Sequence, residues 1–180
     1  MNERRIIADI LRVNHAGETG AVRIYRAQRR IARRTALDLV AMLEAALSDE
    51  IRHRDSFRSA MRERSVSPCG MLGFWWLGGA ALGTITALLG RDAILTCTES
   101  IERTVHGHMN DQVAWLRNRD PSLADMIATI RDEELEHLSD AAAAGGRRPG
   151  WLDTVIARAT ETLVWLSTYG ASARLAGALR

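Results

Sequence analysis

Two Glu-x-x-His pairs, Glu50/His53 and Glu134/His137, and two single glutamates, Glu18 and Glu102, are the residues of this chain best suited to metal chemistry. Each single glutamate precedes its pair by the same 32 residues. Residues three apart share one helix face, so each pair offers a carboxylate and an imidazole to one point. Four inward helices, two bringing Glu and two bringing Glu-x-x-His, supply the six ligands of a di-iron or di-manganese carboxylate bundle. Glu18, Glu50, His53, Glu102, Glu134 and His137 are therefore the candidate metal ligands and the candidate catalytic centre. Glu99, one turn before Glu102, is an alternative, but only Glu102 keeps the 32-residue spacing.

Helices must carry these side chains, and the apolar periodicity supplies them. Leu43, Leu47, Glu50, His53, Phe57 and Met61 step by three or four, as do Leu123, Ile127, Ile130, Glu134, His137 and Ala141. Leu95, Thr98, Glu102, Val105 and Met109 form a third stripe, and Glu18 lies with Leu11, Val22 and Tyr25 on a fourth. Burying unpaired carboxylates costs several kcal/mol each, roughly, so their place on apolar stripes needs a reason, and a shared divalent cation provides one.

Six helical segments are expected. The first runs from Arg4 to Arg34, with Gly17 and Gly20 as weak points, and the second from Ala36 to Glu63, before the Ser65–Pro68 break. An apolar segment, Met71 to Leu89, is closed by Gly90, and a fourth helix spans Asp92 to Asn118. Pro121 opens a fifth, reaching Ala144. After a Gly145–Gly150 loop, an amphipathic helix from Trp151 to Tyr169 precedes a looser Gly/Ala tail. The expected fold is all-α, a ferritin-like four-helix bundle of one domain over residues 1–180, with an added apolar crossover segment and a C-terminal amphipathic helix. The 84 residues between matched glutamates make that apolar segment the crossover between two hairpins.

The totals fit this reading. A chain of 180 residues suits one domain with a real core. Few prolines and phenylalanines against many Ala, Leu, Arg and Glu favour helix over sheet. A net charge of +2, with arginines spread over helix surfaces in no single block, gives no argument for a nucleic-acid partner. Cys69 and Cys97 make no disulfide framework and point to a reducing compartment. Met1 to Arg5 lead straight into a polar helical pattern, so no secretory signal is expected.

Met71 to Gly90 carries no charge, and its twenty residues would suffice for a membrane span. A membrane-contacting or buried hairpin is the preferred reading over a true span, because the motifs on both sides need one aqueous bundle. Around the candidate ligands, Asp49 and Asp132 are candidate partners for the imidazoles. Glu133 and Glu136 are expected to be solvated or paired with arginines. His108 reads as a core or near-site histidine, His15 and His106 as surface or packing residues, and Tyr25 as core.

With these residues in hand, the chain resembles the demethoxyubiquinone hydroxylase family. The likeness rests on Leu11-Arg12-Val13-Asn14-His15-Ala16-Gly17-Glu18-Thr19-Gly20-Ala21 followed by Arg23-Ile24-Tyr25, and on Glu50-Ile51-Arg52-His53. It continues through Glu102 to Gln112 and Arg131-Asp132-Glu133-Glu134-Leu135-Glu136-His137. It covers most of the chain, from about Leu11 to the last helix.

The resemblance implies a ferritin-like, membrane-associated enzyme that adds one oxygen atom from O₂ to the ring of a demethoxylated ubiquinone precursor. It implies two iron ions on the same six residues that the spacing selects, with Glu50 and Glu134 bridging, and a near-site role for His108. NADH is the implied electron source, directly or through the quinone, although no Gly-x-Gly-x-x-Gly dinucleotide site is present. Met109 departs from the tyrosine of known relatives. The partners implied are a polyprenyl quinone and a membrane surface, with a homo-oligomer or an accessory lipid-binding protein as further candidates. The implied location is intracellular and peripheral on the membrane, on the cytoplasmic face if the source is bacterial. Because architecture does not fix function, a ferroxidase or storage protein, a manganese catalase or peroxidase, and a non-catalytic quinone-binding scaffold remain the rival readings. Ligand type does not separate iron from manganese.

Overall fold

Each break in the helical periodicity ends a helix in the computed structural model, which describes residues 3–146 and 149–168. The helices are α1 (Glu3–Thr35), α2 (Val40–Glu63), α3 (Leu72–Leu88), α4 (Arg91–Leu116), α5 (Pro121–Ala143) and α6 (Gly150–Thr168), with a 3₁₀ turn Leu37–Leu39 leading into α2. No strand occurs among the described residues. The expected tail from Tyr169 onward, and Arg147 and Arg148 of the expected loop, lie outside the described residues.

Local chemistry explains the ends. Asp120 caps α5 by accepting the Leu123 backbone N–H at 3.1 Å, and Pro121 takes the first turn, where its missing N–H is harmless. Gly90 joins α3 to α4 at a φ of 99°, a left-handed conformation that a side chain would disfavour. The second helix begins later than expected, because Leu37–Leu39 first form the tighter turn.

Gly17 and Gly20 do not interrupt α1, which is continuous. Gly20 serves packing instead. A Cβ at Gly79 would strike the backbone of Gly20, and one at Gly83 would strike that of Ile24, so α3 lies against α1 almost backbone to backbone. The pairing of 20 with 79 and 24 with 83 makes the two helices parallel.

α1 with α2 and α4 with α5 form the two hairpins of the bundle. The third helix of each half lies beside the first: α3 along α1, and α6 along α4, where Ser100 donates to the Asp153 carbonyl at 3.1 Å and Arg103 reaches the Asp153 carboxylate at 3.0 Å. The apolar crossover and the C-terminal helix are thus the same element in two successive three-helix units. Trp75 Nε1 donates to Ser167 Oγ at 2.8 Å and ties α3 to α6.

The bundle core splits in two. Ile10, Leu11, Phe57, Met109, Leu116 and Ile127 fill one end, and Val22, Leu39, Leu43, Ile94 and Leu95 the other. The candidate ligands form the polar layer between them. The apolar segment forms one continuous helix, α3, rather than the expected hairpin, and at 17 residues, about 26 Å, it is short of a roughly 30 Å hydrocarbon core. Among the described residues no helix is long and apolar enough to cross a membrane.

Candidate metal centre

All six residues selected from the sequence converge in that layer, and all are buried. Glu18 comes from α1, Glu50 and His53 from α2, Glu102 from α4, and Glu134 and His137 from α5. They fall into two overlapping sets, Glu18–Glu50–His53–Glu134 and Glu50–Glu102–Glu134–His137. Within each set one ligand atom per residue lies within 4.8 Å of the others. Glu50 and Glu134 belong to both sets, the sharing required of carboxylates between two ions. Glu99, the alternative to Glu102, is only partly buried and belongs to neither set.

The imidazoles are held from both sides. His53 Nδ1 lies 3.0 Å from Glu134 Oε1 and His137 Nδ1 lies 3.2 Å from Glu134 Oε2, so both Nδ1 atoms point inward. Outward, His53 Nε2 donates to Glu133 at 2.6 Å and His137 Nε2 to Asp49 at 3.2 Å. Each histidine is therefore oriented by a carboxylate from the opposite hairpin. Arg52 clasps both of these carboxylates, reaching Asp49 at 2.6 Å and Glu133 at 2.8 Å.

Two sequence expectations change here. Asp132 does not support an imidazole; it is exposed and pairs with Arg131 at 2.7 Å. Glu133, expected only to be solvated or to pair with an arginine, takes that place as well as pairing with Arg52. The signal was present: Glu133 precedes Glu134 by one residue, as Asp49 precedes Glu50. Tyr25 is core, as expected, and also donates to Glu102 Oε1 at 2.5 Å. His15 is a buried packing residue, whose pKa burial lowers, aided by Arg54 and Arg58.

The electrostatics show what this donor set lacks without an ion. Burial, with a smaller contribution from Glu134, raises Glu18 to about 7. Burial and the neighbouring carboxylates Glu134 and Glu18 push Glu50 well above its ordinary range, and burial with Glu134 does the same to Glu102. Burial alone would raise Glu134 too, but hydrogen bonds from His137 and His53 outweigh it and hold Glu134 below the usual range. His53 rises to about 9 because Glu134 and the other carboxylates overcome the effect of burial. Glu50 Oε2 is buried without any hydrogen-bond partner. Four crowded carboxylates, an orphaned oxygen and two inward imidazole nitrogens fit two divalent cations, which would supply the positive charge that protons supply otherwise.

On the side facing away from Arg52, a cavity of about 220 Å³ reaches the carboxylates of Glu18, Glu50, Glu102 and Glu134. Its walls are otherwise mostly apolar, from Ile24 and Val13 of α1, Leu82 of α3, Ile101 and Val105 of α4 and Leu163 of α6. Gly78 of α3 and Ala159 of α6 are its exposed wall residues and mark a mouth between those helices. His108 also lines it, with Nε2 3.3 Å from Glu161 of α6. Asn14 and Gln112, joined at 2.7 Å, add a buried amide pair that the sequence reading had not singled out.

Comparison with known proteins agrees with this geometry. The chain matches the family described as ubiquinone biosynthesis protein COQ7 over residues 5–167. It is 33% identical over 174 residues to a Dictyostelium discoideum protein named NADPH-dependent 3-demethoxyubiquinone 3-hydroxylase, mitochondrial, covering 92% of this chain and 78% of that one. It is 36% identical over 165 residues to the 3-demethoxyubiquinol 3-hydroxylase of Rhodospirillum rubrum, covering 90% and 77%. The mouse NADPH-dependent 3-demethoxyubiquinone 3-hydroxylase, mitochondrial, is 37% identical over 138 residues, which span 74% of this chain and 63% of the mouse protein. A carboxylate–histidine layer within an all-helical bundle and a sequence match along nearly its whole length lead to one assignment: the chain belongs to the COQ7 family of ubiquinone biosynthesis proteins.

Proposed function

We propose that this protein is a di-iron monooxygenase that hydroxylates the ring of a demethoxylated ubiquinone precursor. The observation that carries the reading is the cavity, mostly apolar along its walls and acidic at its end, which leads from between α3 and α6 to the buried carboxylates. An electron-rich ring entering by that route would stop beside Glu18, Glu50, Glu102 and Glu134.

Glu18, Glu50, His53 and Glu134 would hold one iron ion, and Glu50, Glu102, Glu134 and His137 the other, with Glu50 and Glu134 shared. Bound iron supplies O₂ activation and the passage of two electrons, so that one oxygen atom reaches the ring and the other leaves as water. The chain's own groups prepare that chemistry. Glu133 and Asp49 keep the protons on the outer Nε2 atoms, so the inner Nδ1 atoms are free to bind metal as neutral imidazoles. Tyr25 fixes the rotamer of Glu102 through its hydroxyl. The apolar cavity walls exclude water, which strengthens electrostatic interactions around the reacting ring.

Electrons come from a reduced nicotinamide, NADH by our reading and NADPH by the names of two relatives. The polyprenyl substrate resides in a bilayer, so the protein would work as a peripheral membrane protein. Phe74, Leu77 and Leu88 of α3 and Trp151, Val155 and Trp165 of α6 are exposed apolar residues on the two helices that flank the cavity mouth.

The stoichiometry of turnover tests the function. With iron-loaded protein, a short-tailed demethoxyquinone and excess reductant, O₂ consumed should equal hydroxylated quinone formed. O₂ uptake that tracks ferric iron, with quinone untouched, would instead identify a ferroxidase.

A further inference from the structure

Between Glu18 and Asp38 the chain carries six arginines and no acidic residue. This is a denser block than a reading of the whole sequence suggests. In the structure the block becomes a stripe. Helical geometry puts Arg30 and Arg34 each within about 20° of Arg23 on α1, on opposite sides of it, with Arg26 about 60° to one side. Arg33 points toward α2 and pairs with Glu44 at 2.7 Å. Among the described residues, no carboxylate pairs with Arg23, Arg26, Arg30 or Arg34, and the last three side chains belong to exposed residues. Like charges three and four residues apart weaken a helix unless an anion sits on them.

The stripe lies beside an apolar one. The Arg23 guanidinium stacks 3.8 Å above the Trp76 ring, which fixes the basic edge against α3. Because α1 and α3 run parallel, with residue 20 level with 79 and 24 with 83, Arg26 lies alongside the outer face of α3, and Arg30 and Arg34 carry the stripe past the end of α3 at Leu88. That face exposes Phe74, Leu77, Ile85 and Leu88, by 54% to 72%, and carries no charge. The cavity mouth at Gly78 lies on the same helix.

We propose that α1 and α3 together form a docking face for a bilayer containing anionic phospholipids. The outer residues of α3 enter the interface, the four arginines engage lipid phosphates, and the cavity mouth faces the acyl chains. The inference rests on the membrane-docking reading above and adds the headgroup charge and the orientation. Nucleic acid would satisfy the arginines but leave α3 uncovered, whereas an anionic bilayer satisfies both stripes at once.

Vesicle flotation of the full chain tests this, with phosphatidylcholine alone or mixed with phosphatidylglycerol, at low and high salt. Binding should be much stronger to the anionic vesicles and should weaken with salt. Each stripe arginine should account for about fivefold in partitioning, so R26Q/R30Q/R34Q should lose roughly a hundredfold. The control R58Q/R62Q/R117Q removes the same charge from exposed residues elsewhere and should bind as the parent does. Thermal melts of both variants check that folding is unchanged. Equal, salt-insensitive binding to both vesicle types would overturn the role of the arginines while leaving membrane docking intact. Equal losses in the two variants would overturn it as well. No binding to either vesicle would overturn the docking reading with it.

Discussion

Glu133 and Asp49 touch no expected metal position, yet each decides which way an imidazole faces. Replacing Glu133 with Gln should weaken ferrous binding about 10- to 100-fold, chiefly at the position served by His53. Asp49→Asn should act in the same way at the position served by His137, and titration with Co²⁺, followed by its absorption bands, would separate the two. Protons report on the same layer. Glu18, Glu50, Glu102 and His53 all have raised pKa values in the metal-free fold. A raised folded-state pKa gives stability that is present below the unfolded value and lost as pH rises through the folded one. Metal-free protein should therefore melt at progressively lower temperature as pH rises from about 4.5, through the Glu18 value near 7, toward the His53 value near 9. Bound iron should flatten that slope, and a metal-free melt insensitive to pH would contradict the placement of these carboxylates. The six candidate ligands were legible because their types and spacing repeat. Glu133 was not distinguished from Asp132, since the matched places of Asp49 and Glu133, one residue before Glu50 and Glu134, take on meaning only once α2 and α5 pack and each side chain reaches the opposite imidazole.

Elements were the most legible scale where sequence punctuation is strong. Asp120 and Pro121 set the start of α5 from sequence and structure alike, and Asp120 also pairs with Arg64 at 2.8 Å. Asp120→Ala should destabilise the fold by about 1–2 kcal/mol, measurable in urea melts. The hydrogen bond from Arg64 depresses the Asp120 pKa below its usual 3.8. Its contribution is thus present above 3.8 and disappears as pH falls below it. Glycine was the misleading signal. Gly20 looks like a weak point in a helix when read along the chain, but it, Gly79 and Gly83 allow two helices to touch. Close approach depends on a partner 59 residues away, which local periodicity does not contain. Gly83→Ala should force α3 off the Ile24 backbone and lower stability by about 1–3 kcal/mol, with a matching fall in melting temperature.

At the scale of the whole molecule, two three-helix units close around one buried layer and leave α3 and α6 side by side. The two hairpins and their crossover were legible from the 84-residue offset between matched glutamates. The equivalence of α3 with α6 was not, because one reads as uniformly apolar and the other as amphipathic. Their adjacency makes the cavity, and the cavity links buried carboxylates to a surface from which a lipid quinone could enter. The most direct test of this account is isotopic. Ferrous-loaded protein, a short-tailed demethoxyquinone and a reduced nicotinamide are mixed without oxygen, ¹⁸O₂ is admitted, and the product is weighed. The account predicts a hydroxylated quinone carrying one ¹⁸O atom, and no such product from Glu134→Ala. An unlabelled hydroxyl, or labelled product that survives loss of Glu134, would contradict it.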